Sequence, residues 1–403
     1  MTIRLPRDFS TISVSKNHKK IFCMRIVFWS NFLSPHTLPF VIKLKEDKRV
    51  DDVVFVAAIN ADEEHKEMGW NNRDFPGIDT IRTYISPTDS QIDQICGERP
   101  DDSWHIFPGF GDPLVSPLYQ KSLKYNLRQV VMSERPMTYA CGVDYAKPLW
   151  LHRLRFFLKF RKYAKQTQMV FAMGSDAVTY FKSVFDCPVQ NFGYCTFRQE
   201  SQIVDVPSDS PLRCCFVGSL SRRKNPLTIL KALHYLHRNR HEIEMTFIGD
   251  GSERQKMEHY ISDKNMQGIE ILGFKDNSEI PKLLTNYDVL ILPSIHDGWG
   301  AVVNEAMQAG CFVVCSDNCG AKDLLDNQER GYVFKTNNCQ DLACYIDKCL
   351  QNKEGIRKKR KERMEWAKSH LSGEAFSKYL INCICGVKAE LPWNKRYKEY
   401  KEE

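Results

Sequence analysis

Residues 289–320, VLILPSIHDGWGAVVNEAMQAGCFVVCSDNCG, constrain this chain more than any other stretch. The apolar run Val289–Leu292 is short and bounded by turn signals, which predicts a buried parallel strand. Pro293 ends it. Asp297-Gly298-Trp299-Gly300 forms a loop with two positions that carry no side chain. Ala301 to Gln308 predicts a helix, and Gly310 stands where a helix stops. Phe312-Val313-Val314 begins the next strand. Strand, loop, helix and strand in this order set a helix N-terminus against the carboxyl end of a parallel sheet. Backbone N–H groups and the helix dipole there favour an anion, most often phosphate. Two acids, Asp297 and Glu305, flank the place with seven residues between them. A carboxylate accepts two hydroxyl hydrogen bonds at once, which suits the diol of a ribose or sugar. The alternative is an ordinary turn with two surface acids.

The same rhythm recurs upstream. Arg213–Gly218, RCCFVG, predicts a buried strand ending in glycine, followed by Ser219-Leu220-Ser221-Arg222-Arg223-Lys224 and a helix over Leu227–Leu236. Adjacent cations after a strand can neutralise a diphosphate, arginine as a fork and lysine as a mobile point charge. A solvated basic turn is the other reading. Met245–Ile248 predicts a strand, Gly249-Asp250-Gly251 a turn, residues 253–261 a helix and Ile269–Leu272 another strand. Repeated βαβ units imply a doubly wound parallel sheet. The 403 residues exceed what one core usually serves, so two Rossmann-like domains are expected. The first is placed at 24–205 and opens on the strand Met24–Trp29, for which Met24 would be a natural start. The linker is Val206–Pro211. The second domain covers 211–370, and a helical stretch within 371–403 follows.

The Asp297-to-Glu305 spacing and the loop before it resemble the signature of the retaining family-4 glycosyltransferases, which carry an acid, seven residues and then a glutamate. That resemblance implies the GT-B arrangement, with two Rossmann-like domains facing each other across a cleft, and a nucleoside diphosphate sugar as donor. It implies that Glu305 binds the nucleotide ribose and that Asp297 holds hydroxyls of the donor sugar. The backbone of Gly298, Trp299, Gly300 and Ala301 would meet the diphosphate. The first acid of the family is usually Glu, so Asp297 shortens the reach to the sugar. The family loop after the earlier strand carries Gly, then Arg, then a later Lys. Here Gly218 is followed by Ser219, Lys224 matches the lysine, and Arg223 stands in for the arginine. Gly249 and Gly251 resemble the family's base pocket, where glycine admits close backbone approach. The resemblance also implies that the C-terminal helix crosses back to the first domain.

The acceptor side is less explicit. Asn31–His36 follows the first strand, where ligands bind in open α/β sheets, so Ser34 and His36 are expected to face an acceptor. Trp104–Gly111 and Val130–Glu134 are further strand ends, and Glu134 is a third acceptor candidate.

Fifteen cysteines sit in apolar runs without a CxxC pair, which argues against both a zinc site and a disulfide framework and fits a reducing cytoplasm. No stretch reaches the length of a transmembrane helix. Residues 150–166, WLHRLRFFLKFRKYAKQ, repeat Trp150, Leu151, Leu154, Phe157 and Leu158 at helical spacing and carry six cations with no acid. This pattern suits an anionic membrane surface or a core helix with a solvated basic face. The run Arg357–Arg363 is expected to be a solvated helix face. The formal net charge of +7 meets no nucleic-acid-binding signature.

The resemblance implies a glycosyltransferase that moves a sugar from a nucleoside diphosphate sugar to an acceptor hydroxyl with retention. Arg223 and Lys224 would stabilise the departing diphosphate without a metal or other cofactor. The wording around DGWG and VVNEA is similar to bacterial enzymes of surface polysaccharide or lipopolysaccharide synthesis. The acceptor would be a saccharide or lipid-linked saccharide at the inner face of the membrane. A nucleotide-sugar epimerase, or a non-catalytic nucleotide-sugar-binding protein of the same fold, remains the alternative.

Overall fold

A computed structural model describes residues 23–60, 75–109, 113–135, 154, 158, 166–197, 207, 209–236, 242–325 and 329–394. The first sheet has seven strands: β1 Met24–Ser30, β2 Val50–Ala57, β3 Arg82–Ile85, β4 Ser103–Phe107, β5 Arg128–Glu134, β6 Thr167–Met173 and β7 Val189–Phe192. Their order is β3-β2-β1-β4-β5-β6-β7, and every pair is parallel. The second sheet has six: β8 Leu212–Val217, β9 Ile243–Ile248, β10 Ile269–Gly273, β11 Val289–Leu292, β12 Phe312–Ser316 and β13 Gly331–Phe334. They run β10-β9-β8-β11-β12-β13, again all parallel. In each sheet the strand order reverses beside the first strand, at β1/β4 and at β8/β11. Open α/β sheets bind ligands just outside the carboxyl ends of such strands.

Why these runs form central parallel strands is visible in β1. Ile26 and Phe28 enter one core while Val27 and Trp29 enter the other, so the strand is apolar on both faces. Arg25 is the exception. Its side chain is fully buried, and it donates to Asp52, Glu98 and the carbonyls of Ile95 and Glu98. A buried charge persists only with such complete pairing.

The last helix, Gly373–Ile384, lies on the first domain against the helix Leu38–Lys43. A Cβ on Gly373 would overlap the Pro39 carbonyl, which is why glycine stands there. Phe376 meets Phe192 edge-on at 5.2 Å. Beyond it, the buried Trp393 sits 5.8 Å from Trp299 of the second domain.

The basic run 357–363 differs from the solvated face expected of it. Arg357 pairs with the buried Asp288 at 2.9 Å. Arg360 donates to the carbonyls of Thr285 and Ala309, and Arg363 to those of Gly310 and Ile356. The ends of the helices Ile280–Leu284 and Val302–Gln308 leave carbonyls without intrahelical donors, and arginine forks reach them. Periodicity marks a charged face but says nothing about carbonyls brought in from other elements. Arg360→Ala strips two carbonyls of a donor and is expected to cost about 2–4 kcal/mol in chemical denaturation, against little change for the exposed Lys361→Ala.

Candidate functional site

The carboxyl ends of β1, β8 and β11 meet at one cleft. Pro35 and His36 follow β1, Gly218 and Lys224 follow β8, and Ala301, Val302, Glu305 and Gln308 follow β11. Asn277, Ile280 and Pro281 close the far wall, and the enclosed volume is about 280 Å³. Residues from distant parts of the sequence therefore face one space.

Glu305 lies on the short helix Val302–Gln308. Burial alone pushes its carboxyl from 4.5 up to about 7, with no cation offsetting the shift. Gln308, one turn later, lines the same wall and donates to the Thr196 hydroxyl at 2.8 Å. A carboxyl shielded from water and set one wall away from a lysine is suited to accept hydroxyl hydrogen bonds from a diol.

Lys224 carries positive charge into the cleft. Its Nζ lies 2.6 Å from Asp297 Oδ2, and Ser294 donates to the same oxygen at 3.2 Å. Asp297 is 9% exposed. Burial works to raise its carboxyl, but Lys224, Arg223 and Ser294 more than offset this and hold it below the usual carboxylate range. Arg223 donates to the His296 carbonyl at 3.3 Å and stands 3.9 Å from Asp297. Asp297 thus orders Lys224, the lysine expected from the sequence to meet a diphosphate.

Several expected site residues also make contacts within the protein. Ser34 Oγ accepts from the His36 N–H at 3.2 Å and so shapes the loop that presents His36. The His36 ring stacks on Tyr194 with centroids 5.8 Å apart. Ser219 is exposed and shares a hydrogen bond with Ser221. Gly249 and Gly251, with φ of 140° and 153°, bring the loop after β9 onto the carbonyls of Gly218 and Leu220, so their close approach is to backbone. Gly300, at φ 92°, packs on Cys319 and Leu292. The Trp299 indole is fully buried. It donates to Asn304 Oδ1 at 2.8 Å and lies on Gly193, where a Cβ would overlap it.

Glu134, expected as an acceptor wall, ends β5 against the loop of Gly298. Tyr194 donates to its Oε1 at 2.8 Å. Burial raises its carboxyl, the Tyr194 hydrogen bond lowers it, and nearby Asp297 raises it again, leaving it above the usual range. Residues 150–166 lie outside the described residues except Leu154, Leu158 and Gln166; both leucines are exposed.

Sequence reasoning missed Tyr194, His296, Arg135 and Asp323. Arg135 approaches His296 Nδ1 at 3.3 Å across the domain boundary. Asp323 accepts from the Ser175 N–H and Oγ and from Asn191, capping the helix Ser175–Lys182 of the other domain. None of these belongs to a local pattern. Gln308 was recoverable, because its spacing from Glu305 puts both on one helix face.

Residues 198–370 match the family model of glycosyl transferases group 1. The match covers less than half of the chain, which is similar to this family over that stretch. The matched stretch contains the cleft's Gly218, Lys224, Ala301 and Glu305. Among curated relatives, the amylovoran biosynthesis glycosyltransferase AmsK of Erwinia amylovora is 26% identical over 153 residues, 36% of this chain and 38% of that one. An undecaprenol-linked-saccharide α-1,4-N-acetyl-D-galactosaminyltransferase of Campylobacter jejuni is 30% identical over 145 residues, 36% of this chain and 39% of that one. The chain spans less than half the length of these relatives. The solved structure of Anabaena Alr3699/HepE in complex with UDP superposes with a TM-score of 0.64 at 13% identity, covering 90% of this chain and all of that one. The fold is therefore the two-Rossmann GT-B arrangement of such glycosyltransferases.

The Glu305 carboxyl sets a pH dependence. A folded value near 7 against an ordinary 4.5 means that the ionised form is penalised in the folded state. The penalty is complete above about pH 7 and absent below about pH 4.5. Glu305→Gln should therefore melt above the unliganded wild type at pH 8, by about 2–4 °C, with the gap closing toward pH 4.5 in thermal denaturation.

Proposed function

We propose that the protein is a glycosyltransferase that moves a sugar from a nucleoside diphosphate sugar to a saccharide hydroxyl with retention of configuration. The observation that carries this reading is the shared cleft, where the unpaired Glu305 carboxyl and the Lys224 ammonium meet His36 of the first domain. Glu305 takes the ribose diol. Lys224 and Arg223 take the diphosphate with the backbone of Gly298–Ala301. Asp297, released as Lys224 turns to phosphate, takes sugar hydroxyls, and His36 faces the acceptor. Positive charge waiting where the leaving diphosphate develops its charge lowers the barrier, and these cations stand in for a metal. The relatives' printed roles in amylovoran biosynthesis and on undecaprenol-linked saccharides support polysaccharide synthesis with a lipid-linked acceptor.

Calorimetry with UDP, GDP and ADP tests the donor site. One nucleotide is expected to bind, to bind as well in EDTA, and to lose about tenfold or more in affinity in Glu305→Ala, the cost of a hydrogen bond to a charged group. No binding by any of the three would end the donor-site assignment. Consumption of the matching sugar nucleotide with an acceptor then separates a transferase from a binding protein, and the anomeric proton signal of the product reports retention.

The membrane reading rests on Leu154 and Leu158, helical, one turn apart and 44% and 60% exposed, in a sequence stretch rich in cations. No helix among the described residues is long and apolar enough to cross a membrane. Association would therefore be peripheral. Flotation with phosphatidylglycerol vesicles is expected for the wild type and lost in Leu154→Asp/Leu158→Asp; equal flotation of both would refute it.

A further inference from the structure

Gly298 needs an explanation that its backbone does not give. Its φ is outside the left-handed region, so any residue could adopt its conformation. What excludes a side chain is Glu134. A Cβ on Gly298 would overlap Glu134 Oε2, Cδ and Cγ, all from the opposite domain. The carboxyl therefore occupies the notch that glycine leaves in the loop before the helix Val302–Gln308.

The contact belongs to a closed circuit. Tyr194 donates through its hydroxyl to Glu134 Oε1 at 2.8 Å. The Tyr194 carbonyl accepts from Asn304 Nδ2 at 2.7 Å, and Asn304 Oδ1 accepts from Trp299 Nε1 at 2.8 Å. Trp299 adjoins Gly298 in the chain and stacks over Gly193, next to Tyr194. Each hydrogen bond is buried or half-buried, and the circuit crosses the domain boundary twice, at Gly298–Glu134 and at Asn304–Tyr194, with Trp299 on Gly193 as a further contact across it. It ties the carboxyl ends of β5 and β7 to the loop whose backbone is assigned to the diphosphate.

We propose that Glu134 is a positioning residue for the nucleotide loop: its carboxyl fills the notch left by Gly298, so that the loop holds its binding shape only when the first domain is docked on it. The nucleotide part of this inference rests on the donor-site reading above. Loop formation and cleft closure are then one event, and the cleft excludes water whenever the loop is ordered.

Removal of the obstacle provides the test. UDP affinity by calorimetry and melting temperature are measured for wild type, Glu134→Ala, Gly298→Ala and the double variant. Gly298→Ala should weaken UDP binding by about tenfold, within the range of coupling between residues in contact. It should also lower the melting temperature. Glu134→Ala alone should weaken UDP binding more mildly than Gly298→Ala does, and adding it to Gly298→Ala should bring the double variant back to that milder level in both measurements. A Glu134→Ala protein that binds UDP as the wild type does would overturn the positioning role. A double variant no better than Gly298→Ala would overturn the proposal, because the glycine would then be required by something other than Glu134. Should the wild type bind no nucleotide, the donor-site reading fails, and recovery of the melting temperature alone still decides whether Glu134 occupies the notch.

Discussion

The protein depends on the burial of one loop between two sheets. Residues 297–300 follow β11, which pairs with β8 at the switch point of the second sheet, and in many αβ turns such a loop faces solvent. Here Trp299 is fully buried, and its ring contacts Gly193, Tyr194 and Trp393. A buried indole contributes a large apolar area, and its N–H must find an acceptor, which Asn304 supplies. Both halves of the molecule consequently meet at the place where the site is built. The Gly320–Gly174 contact and the Asp323 cap extend the same closure along the cleft.

Electrostatics at the site follows from this burial. Glu305 has lost water without gaining a cation, so its carboxyl is raised. Asp297 has also lost water, but Lys224 and Arg223 restore more than was lost, so its carboxyl is lowered. Two acids with seven residues between them are thus driven in opposite directions by their surroundings. One has no cation beside it among the described residues; the other holds a lysine in place.

Much of this was legible in the chain. Short apolar runs ending in glycine or proline fixed the parallel strands, because a strand covered on both faces must be apolar on both. The Asp297–Glu305 spacing and Lys224 located the cleft, since the carboxyl ends of neighbouring strands are bound to converge. The reasons for particular residues were less accessible. Gly249 and Gly251 suggested a loop of close approach, and the backbone they lie against, the carbonyls of Gly218 and Leu220, comes from another strand end. The arginines of 357–363 suggested a wet face, yet two of them are buried on helix ends. The bond by which Ser34 accepts from the His36 N–H was not legible in the sequence.

The sequence by itself determined the two doubly wound sheets and the end of each sheet at which chemistry would gather. Those follow from local periodicity, turn chemistry and the handedness of βαβ units, all of which act over a few tens of residues at most. Only the tertiary structure decided which groups share a cleft, which carboxyl stays unpaired and why residue 298 is glycine. These depend on Glu134, Tyr194 and Asp323 meeting partners more than a hundred residues away in the chain, at distances set by the packing of two domains. No local pattern encodes such a meeting, because its strength comes from water removed between surfaces that the sequence lists far apart.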